Sequence, residues 1–286
     1  MADKYVDPLT GTETTGHEWD GIRELNNPLP KWWLYVFYAT ILFSIVWFIL
    51  FPAWPSLSGY TQGVLGYSSR ERLNAELEEV RQSRSFWMDR FEQSSVEDIA
   101  KDPELLNFAM AGGRVIFGDN CAPCHGSGGA GAPGYPILAD DEWMWGGSLD
   151  AIHQTITYGV RNEHADTRYS EMPAFGADEI LEPAQIDAVA DYVLSISGQG
   201  EAAGGDGETV FAENCVACHG EDARGIPEMG APNLTDGIWL YGGTKDEIVA
   251  QVVKPKHGVM PYWIGRLSDA EIKQAAIYVH SLGGGE

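Results

Sequence analysis

The sequence has few basic residues: 18 Lys and Arg stand against 42 Asp and Glu, which gives a formal net charge of −24 over 286 residues. A nucleic-acid partner would require a basic face, so this balance argues against nucleic-acid binding. Most of the acidic residues are typical of a solvated surface whose like charges repel one another.

Cysteine is also scarce, and all four cysteines fall in two copies of Cys-x-x-Cys-His, which are residues 121–125 and 215–219. None is left for a disulfide or a cysteine nucleophile. A zinc ribbon would hold its two pairs about 15–20 residues apart, whereas residues 125–214 separate these pairs. A thioredoxin-like redox pair needs one unit and no histidine after it.

The doubled motif therefore predicts two covalently attached haem c groups. In each copy the two thiols bond the vinyl groups of a porphyrin, and the histidine ligates the iron from one side. The predicted attachment residues are Cys121, Cys124, Cys215 and Cys218, and the predicted axial histidines are His125 and His219.

The sixth iron ligand decides between electron transfer and small-molecule chemistry. Met172-Pro173 and Met260-Pro261 lie at equivalent places late in each copy, and proline biases its predecessor to an extended backbone that can present a thioether. We predict Met172 and Met260 as axial ligands, which leaves neither iron open to oxygen or peroxide. Each methionine is expected to serve its own repeat, although exchange between the repeats remains open. The weaker rivals are Met110, Met144, Met229, His153, His164, His257 and His280.

A long uncharged segment runs from Trp32 to Ser69, and its first part, residues 32–51, is 20 residues of nearly unbroken apolar sequence. That length matches the hydrocarbon core of a bilayer. A signal peptide would have an apolar core of about 7–15 residues behind a short basic start. A buried core helix is also possible, but a 20-residue helix that is apolar on all sides is more often a membrane span. We predict a transmembrane helix over residues 32–54.

The direction of this span follows from the haem motifs, because c-type haem is attached outside the bacterial cytoplasmic membrane. Residues 1–31 are therefore expected to be a cytoplasmic tail. The chain would cross the inner membrane once, with its haem domains in the periplasm. The charge bias across the span is slight, with Arg23 and Lys31 before it and Arg70 and Arg72 after it.

The rest of the chain is predicted to be mainly α-helical. A capping box at Ser68 and Glu71 begins a charged helix that runs to about Gln93, and Asp102-Pro103 begins a second helix that Gly112-Gly113 is expected to interrupt. Residues 55–107 form a periplasmic connecting segment. An internal repeat then predicts two tandem cytochrome c-like helical domains at 108–197 and 206–286, joined by a linker at 198–205.

Each repeat carries two further helices. A short middle helix is predicted at 149–157 and at 245–253, the second with a capping box at Thr244 and Glu247. An amphipathic helix closes each copy, and the apolar faces are Ile186, Val189, Ala190 and Val193 in the first copy and Ile272, Ala275, Ala276 and Val279 in the second.

These features together resemble the dihaem P subunit (FixP/CcoP family) of cbb3-type cytochrome c oxidase. The resemblance rests on the span 32–51, the two haem motifs with their flanking residues, the two Met-Pro pairs and the stretch 136–147, and it covers nearly the whole chain. It implies that the chain accepts electrons from a donor cytochrome c or the bc1 complex. They would pass through a monohaem cytochrome c subunit to the haem–copper catalytic subunit, which reduces oxygen.

In that role the chain is a non-catalytic electron-transfer subunit, and none of its residues binds or reduces oxygen. The alternative is a dihaem cytochrome c subunit of a membrane-bound dehydrogenase. A freestanding electron shuttle would have no reason for a strong anchor. A dihaem peroxidase would need one iron open to peroxide, which the paired Met-Pro ligands disfavour.

Overall fold

A computed structural model describes residues 5–283, which form two compact units divided after Gln82. The described chain is mainly helical, as predicted. Its helices of six residues or more are α1 (Lys31–Leu50), α2 (Ser69–Gln93), α3 (Val96–Lys101), α4 (Pro103–Asn120), α6 (Leu149–Tyr158), α7 (Pro183–Ile196), α8 (Asp206–Asn214), α10 (Lys245–Val253) and α11 (Asp269–His280). The haem motifs form the one-turn helices α5 (Ala122–His125) and α9 (Val216–His219). The strands are β1 (Thr14–Trp19), β2 (Ile22–Leu25), β3 (Pro55–Ser56) and β4 (Gly59–Tyr60), paired as two antiparallel hairpins.

Helix α1 has the predicted membrane-spanning character. Among residues 5–283 it is the one helix long and apolar enough to cross a membrane, and none of its side chains is buried within the protein. It ends at Leu50, earlier than the predicted limit at 54, because Pro52 has no N–H to continue the helix. The chain then returns, so that the N–H groups of Val64 and Leu65 donate to the last carbonyls of α1.

The predicted helix starts are confirmed, because each capping side chain makes the expected bond. The hydroxyls of Ser68 and Ser268 accept from backbone N–H groups three residues later, and the Asp102 carboxylate accepts from the N–H groups of Glu104 and Leu105. Thr244 caps α10 in the same way. The predicted apolar faces of α7 and α11 are buried in full.

The expectation that Gly112-Gly113 interrupts the helix is wrong, because α4 runs unbroken from Pro103 to Asn120. The glycines instead allow α11 to approach closely. A Cβ on Gly113 would overlap the carbonyl oxygen of Gln274 and lie 2.6 Å from Cβ of Tyr278. Glycine is needed here because it has no side chain that would collide with α11, and not because its backbone is flexible.

The two repeats exchange their closing helices. Helix α11, from the end of the second repeat, packs against α4 and α6 of the first, while α7, from the end of the first, packs against α8 and α10 of the second. The predicted domain limits, 108–197 and 206–286, describe repeats in the sequence. Each helical bundle takes elements from both.

The two crossings have the same geometry. In one, the rings of Phe117 and Tyr278 lie with centroids 5.4 Å apart and planes at 51°; in the other, Phe211 and Tyr192 repeat both values. Gly207 in α8 matches Gly113, since a Cβ there would overlap the carbonyl of Ala188. Each repeat thus contributes one half to each of two equivalent bundles.

A third apolar cluster joins the end of α2 to this exchanged core, and it includes Phe91, Ile99 and Ile277. Lys273 of α11 strengthens the junction. Its ammonium donates to the carbonyl oxygens of Glu92 and Ser94, both at 3.1 Å, and pairs with Asp269 at 2.9 Å. One carbonyl in the last turn of α2 and one just after the helix therefore have a cationic partner, as a helix C-terminus favours.

We expect Lys273→Met to lower the free energy of unfolding by about 1.5–3 kcal/mol, the range for hydrogen bonds to a charged group. Only 12% of the Lys273 side chain is exposed, so water cannot fully replace the lost bonds. Denaturant unfolding followed by circular dichroism measures the change. The matched control is Lys254→Met at an exposed lysine, and equal stability of the two variants would contradict the role of Lys273.

Candidate haem-binding sites

The two Cys-x-x-Cys-His motifs fold into the same tight turn. Helix α4 ends at Cys121, whose carbonyl accepts from the N–H groups of Cys124 at 3.1 Å and His125 at 2.9 Å. Helix α8 ends at Cys215, and the N–H groups of Cys218 and His219 repeat both distances. In both copies one helical turn brings the two thiols and the imidazole together.

Both histidines are oriented by a proline carbonyl. Nδ1 of His125 lies 3.1 Å from the Pro136 oxygen, and Nδ1 of His219 lies 3.1 Å from the Pro232 oxygen. A carbonyl oxygen can only accept, so Nδ1 carries the proton and the Nε2 lone pair is left for a metal. The sequence analysis did not identify these prolines, although a Pro-x-Leu triplet at the same place in each repeat was the available signal.

Burial shapes the protonation of these groups. It lowers the pKa of His125 and of His219, against the smaller opposing effect of the proline carbonyls, and so favours the neutral imidazole that a metal requires. Burial also raises the pKa of Cys121 and of Cys215 to about 11, with a smaller contribution from the neighbouring thiol of each pair.

Each methionine lies with the haem motif of the other repeat. Half-buried Met260 packs against the apolar cluster of α4, α6 and α11, which Cys121 also contacts. Half-buried Met172 packs against the cluster of α7, α8 and α10, which Cys215 also contacts. This arrangement favours the exchanged pairing over ligation within each repeat, because the segments carrying the methionines, 170–177 and 258–263, are exchanged together with the closing helices.

Backbone hydrogen bonds fix this exchange. Met260 forms an antiparallel bridge with Val160, with both N···O distances 3.0 Å, and its carbonyl also accepts from Nδ2 of Asn162 at 2.8 Å. Three residues later, the N–H of Trp263 donates to Thr157 at the end of α6.

The first-repeat segment is held in a similar way. The N–H of Ala177 donates to the carbonyl of Val253 at the end of α10, at 3.0 Å, and the N–H of Met172 donates to Nε2 of His257, also at 3.0 Å. Each methionine segment is thus bonded to the end of the other repeat's middle helix and the loop that follows it.

A cavity of about 900 Å³ lies at the second motif, within the size range of cofactor pockets. Its walls include Cys215, Cys218, His219 and Met172, so two thiols, an imidazole and a thioether face one space. These donors fit a c-type haem. A further observation supports the fit: Nε1 of Trp239 in the cavity wall is buried without a hydrogen-bond partner, and a haem propionate would supply an acceptor.

Replacement of Trp239 by phenylalanine tests this fit. The ring would still pack on Gly243 but lose its N–H, so we expect the haem-loaded protein to lose about 1.5–3 kcal/mol of stability. Thermal unfolding followed at the haem absorption band measures the loss. Trp145→Phe, at a ring that packs on Arg168, is the control. A Trp239→Phe variant as stable as the parent would remove Trp239 as a haem contact.

Carboxyl groups also line this cavity. Burial is the largest cause that raises the pKa of Asp140 and of Glu142, and nearby Asp236 adds to it in both cases. Nδ2 of Asn233 donates to Oε1 of Glu142 at 3.3 Å and joins the two repeats here. Ionised carboxylates at this position therefore oppose folding.

The raised pKa sets the sign of a pH effect. In the unfolded chain Glu142 has its ordinary pKa of 4.5, whereas in the folded chain its pKa is higher and it stays protonated to higher pH. Stability is therefore lost as the pH rises through this interval. Glu142→Gln keeps the acceptor oxygen and removes the charge. We expect its advantage in melting temperature over the parent to grow between about pH 4 and pH 7. An advantage that shrinks over this range would contradict the assignment.

The rival residues lie elsewhere or are engaged. Met110 packs in the cluster of α2 and α3, and the His164 ring lies between Tyr158 and Tyr262. His257 accepts from Met172 through Nε2, while Met144 and Met229 line the cavity without a counterpart in the matching place of the other repeat. His153 lies on α6 and His280 ends α11.

Family models match most of the chain, with residues 59–107 between the matched parts. Residues 11–58 match the N-terminal domain of cytochrome oxidase-cbb3, FixP, and residues 108–193 and 202–279 match cytochrome c oxidase, cbb3-type, subunit III. The chain belongs to the FixP/CcoP family of cbb3-type oxidase subunits. The described features fit this family, in which haem c is bound by cytochrome c domains and the protein is anchored in a membrane.

Curated relatives extend the likeness over the full length. A FixP subunit of Bradyrhizobium sp. (strain ORS 278) and a CcoP subunit of Azospirillum sp. (strain B510) are each 52% identical, with all of both chains covered. A CcoP subunit of Cereibacter sphaeroides is 49% identical over 96% of this chain and 95% of its own. All three are subunits of cbb3-type cytochrome c oxidase, and the dehydrogenase alternative has no support among them.

Proposed function

We propose that the chain carries two haem c groups and conducts electrons within a cbb3-type oxidase. The observation that carries this proposal is the duplicated donor set, in which each motif turn has an oriented histidine and a methionine packed nearby. A haem c bound at each site supplies a reversible one-electron iron couple.

The protein's contribution is to hold both coordination positions. The carbonyls of Pro136 and Pro232 keep the histidines in the metal-binding tautomer. Met260 would ligate the haem bonded to Cys121 and Cys124, and Met172 the haem bonded to Cys215 and Cys218. Thioether ligation raises the potential relative to a second histidine, and it closes the iron to oxygen, so the chemistry is outer-sphere electron transfer.

We infer that the two sites exchange electrons with each other. The loop 130–137 carries the Pro136 carbonyl that holds His125, and the same loop lines the cavity of the second site. The N–H of Gly134 in this loop donates to the carbonyl of Leu240 at 2.9 Å. This short connection between the sites supports transfer between the haems.

The family and the net charge indicate where electrons enter and leave the chain. The net charge of −24 favours a basic donor, such as a small positively charged cytochrome c, through long-range attraction. The family resemblance also allows the bc1 complex as the donor. Electrons would leave through the monohaem cytochrome c subunit toward the haem–copper catalytic subunit. The amino terminus would lie in the cytoplasm and the haem region in the periplasm, since haem c is attached there.

Two measurements on the purified oxidase test this function. The denatured chain should retain the mass of two haems, and Cys121→Ala/Cys124→Ala should remove one of them. That variant should also lose oxygen uptake driven by reduced cytochrome c, while uptake driven by a small-molecule reductant of the catalytic subunit persists. Co-purifying b-type haem and copper report assembly. Full cytochrome c-driven uptake by an assembled variant, or a mass with a single haem in the parent, would overturn the proposal.

A further inference from the structure

One arginine binds both methionine segments. Arg161 lies in the loop after α6, where its Nε donates to the carbonyl of Gly258 at 2.7 Å and its Nη1 donates to the carbonyl of Ser170 at 3.0 Å. Gly258 lies two residues before Met260, and Ser170 lies two residues before Met172. The guanidinium of Arg161 therefore binds both methionine segments at once, at the place where the exchange brings them close together.

We propose that Arg161 is a shared positioning residue for both axial methionines, so that the sulfur ligands of the two haems are coupled through one side chain. This inference rests on the proposed ligation by Met172 and Met260. Arg161 acts through the two carbonyls and not by contact with iron.

Arginine suits this double hydrogen bond better than lysine does. The guanidinium is planar, with donors in a fixed fork, so it can bind two carbonyls in different directions at once, which an ammonium does less well. Arg161 is half-buried, and although desolvation lowers its pKa, an arginine guanidinium stays protonated at neutral pH. Its hydrogen bonds are therefore charge-assisted in a place where water is limited.

The backbone around Arg161 is tied to the same segments. Arg161 has a φ of +51°, a left-handed conformation that is uncommon for a residue other than glycine. Its neighbours on both sides bind Met260: Val160 through the antiparallel bridge, and Asn162 through its side-chain amide. The unusual backbone is thus held by bonds to the methionine segment.

The internal repeat supplies a matched comparison. The loop residue at the place of Arg161 in the second repeat is His257, since 149–158 aligns with 245–254. His257 also reaches a methionine segment, where its Nε2 accepts a hydrogen bond from the N–H of Met172 at 3.0 Å. Equivalent positions therefore have unequal reach: Arg161 binds both segments, and His257 binds the segment of Met172.

The test uses the full chain with haem attached. We expect Arg161→Gln to weaken sulfur ligation at both irons, so that up to two carbon monoxide molecules bind per ferrous chain and the near-infrared sulfur-to-iron band of the ferric protein falls for both haems. His257→Gln should open one iron at most. Arg168→Gln is the control, because the half-buried guanidinium of Arg168 donates to Ala151 and Gln154 of α6. The bonds of Arg168 to Arg161 and Gly159 are made by its backbone, which the substitution leaves in place.

Arg161→Lys keeps the positive charge but loses the planar fork of N–H donors. This second variant replaces Arg161→Gln in the test if Arg161→Gln fails to retain haem. We expect carbon monoxide to bind it at both irons, to a smaller extent. The proposal is overturned if haem-loaded Arg161 variants open one iron only or behave like Arg168→Gln. If Met172→Ala and Met260→Ala also leave both irons closed, the ligand assignment fails instead. If those two open an iron each while the Arg161 variants do not, the shared role of Arg161 alone is wrong.

Discussion

Met260→Ala is expected to open the iron of the haem bonded to Cys121 and Cys124, which belongs to the other repeat. Met260 packs in the cluster that Cys121 contacts, and the bridge to Val160 fixes its segment there. Alanine cannot ligate iron, so carbon monoxide should bind one ferrous haem per chain. The potential of that haem should also fall, within the roughly 0.8 V range that axial ligands span. Met172→Ala should give the same result at the haem bonded to Cys215.

Nuclear magnetic resonance on the reduced protein assigns each methionine to its haem. Cross-peaks should connect the Met260 methyl group with protons of the haem whose thioethers lead to Cys121 and Cys124. Met229→Ala is the matched control, because Met229 lines the same cavity as Met172 but lies in a short surface turn with 37% of its surface exposed. Cross-peaks from Met260 to the haem of Cys215 would refute exchange, and closed irons in both variants would refute methionine ligation.

Gly113→Ala is expected to destabilise the haem region, although alanine is the better helix former. The added Cβ would overlap the backbone oxygen of Gln274, and two helix backbones cannot yield as a flexible side chain can. Overpacking of this kind lowers the free energy of unfolding by about 1–3 kcal/mol. Gly207→Ala should have a similar effect at the second crossing, where Ala188 is the residue overlapped.

Gly118→Ala in the same helix is the control for this prediction. No heavy atom lies within 4 Å of a Cβ placed there, so the higher helix propensity of alanine should raise the free energy of unfolding by about 0.5–1 kcal/mol. Denaturant unfolding of the haem-loaded chain measures all three variants. If Gly113→Ala were as stable as Gly118→Ala, the close crossing of α4 and α11 would be wrong.

Local features of the chain were predictable because their interactions span only a few residues. The capping side chains of Ser68, Asp102, Thr244 and Ser268 each bond an N–H within three residues, and these starts were predicted correctly. The predicted span was too long, because Pro52 ends the helix at Leu50. Gly113 was wrongly predicted to interrupt a helix. The second error has a tertiary cause, because the partner that requires glycine is Gln274, far along the chain.

The partner of each methionine was not predictable in the same way. The two repeats present equivalent faces, since Phe117 with Tyr278 and Phe211 with Tyr192 form the same ring geometry. An apolar pattern that allows a closing helix to pack on its own repeat therefore also allows it to pack on the other repeat. The two bonds of Arg161 likewise join residues whose contact has no periodic signal in the sequence.

The sequence by itself determined the two Cys-x-x-Cys-His motifs, the apolar span and the order of the helices, because short motifs, apolar length and helix capping all depend on short stretches of residues. Only the tertiary structure decided that the closing helix of each repeat packs against the other repeat. The same exchange decides which methionine lies beside which haem motif. The physical reason is that two near-identical complementary surfaces admit two pairings, and long-range packing around Val160, Arg161 and His257 selects one of them.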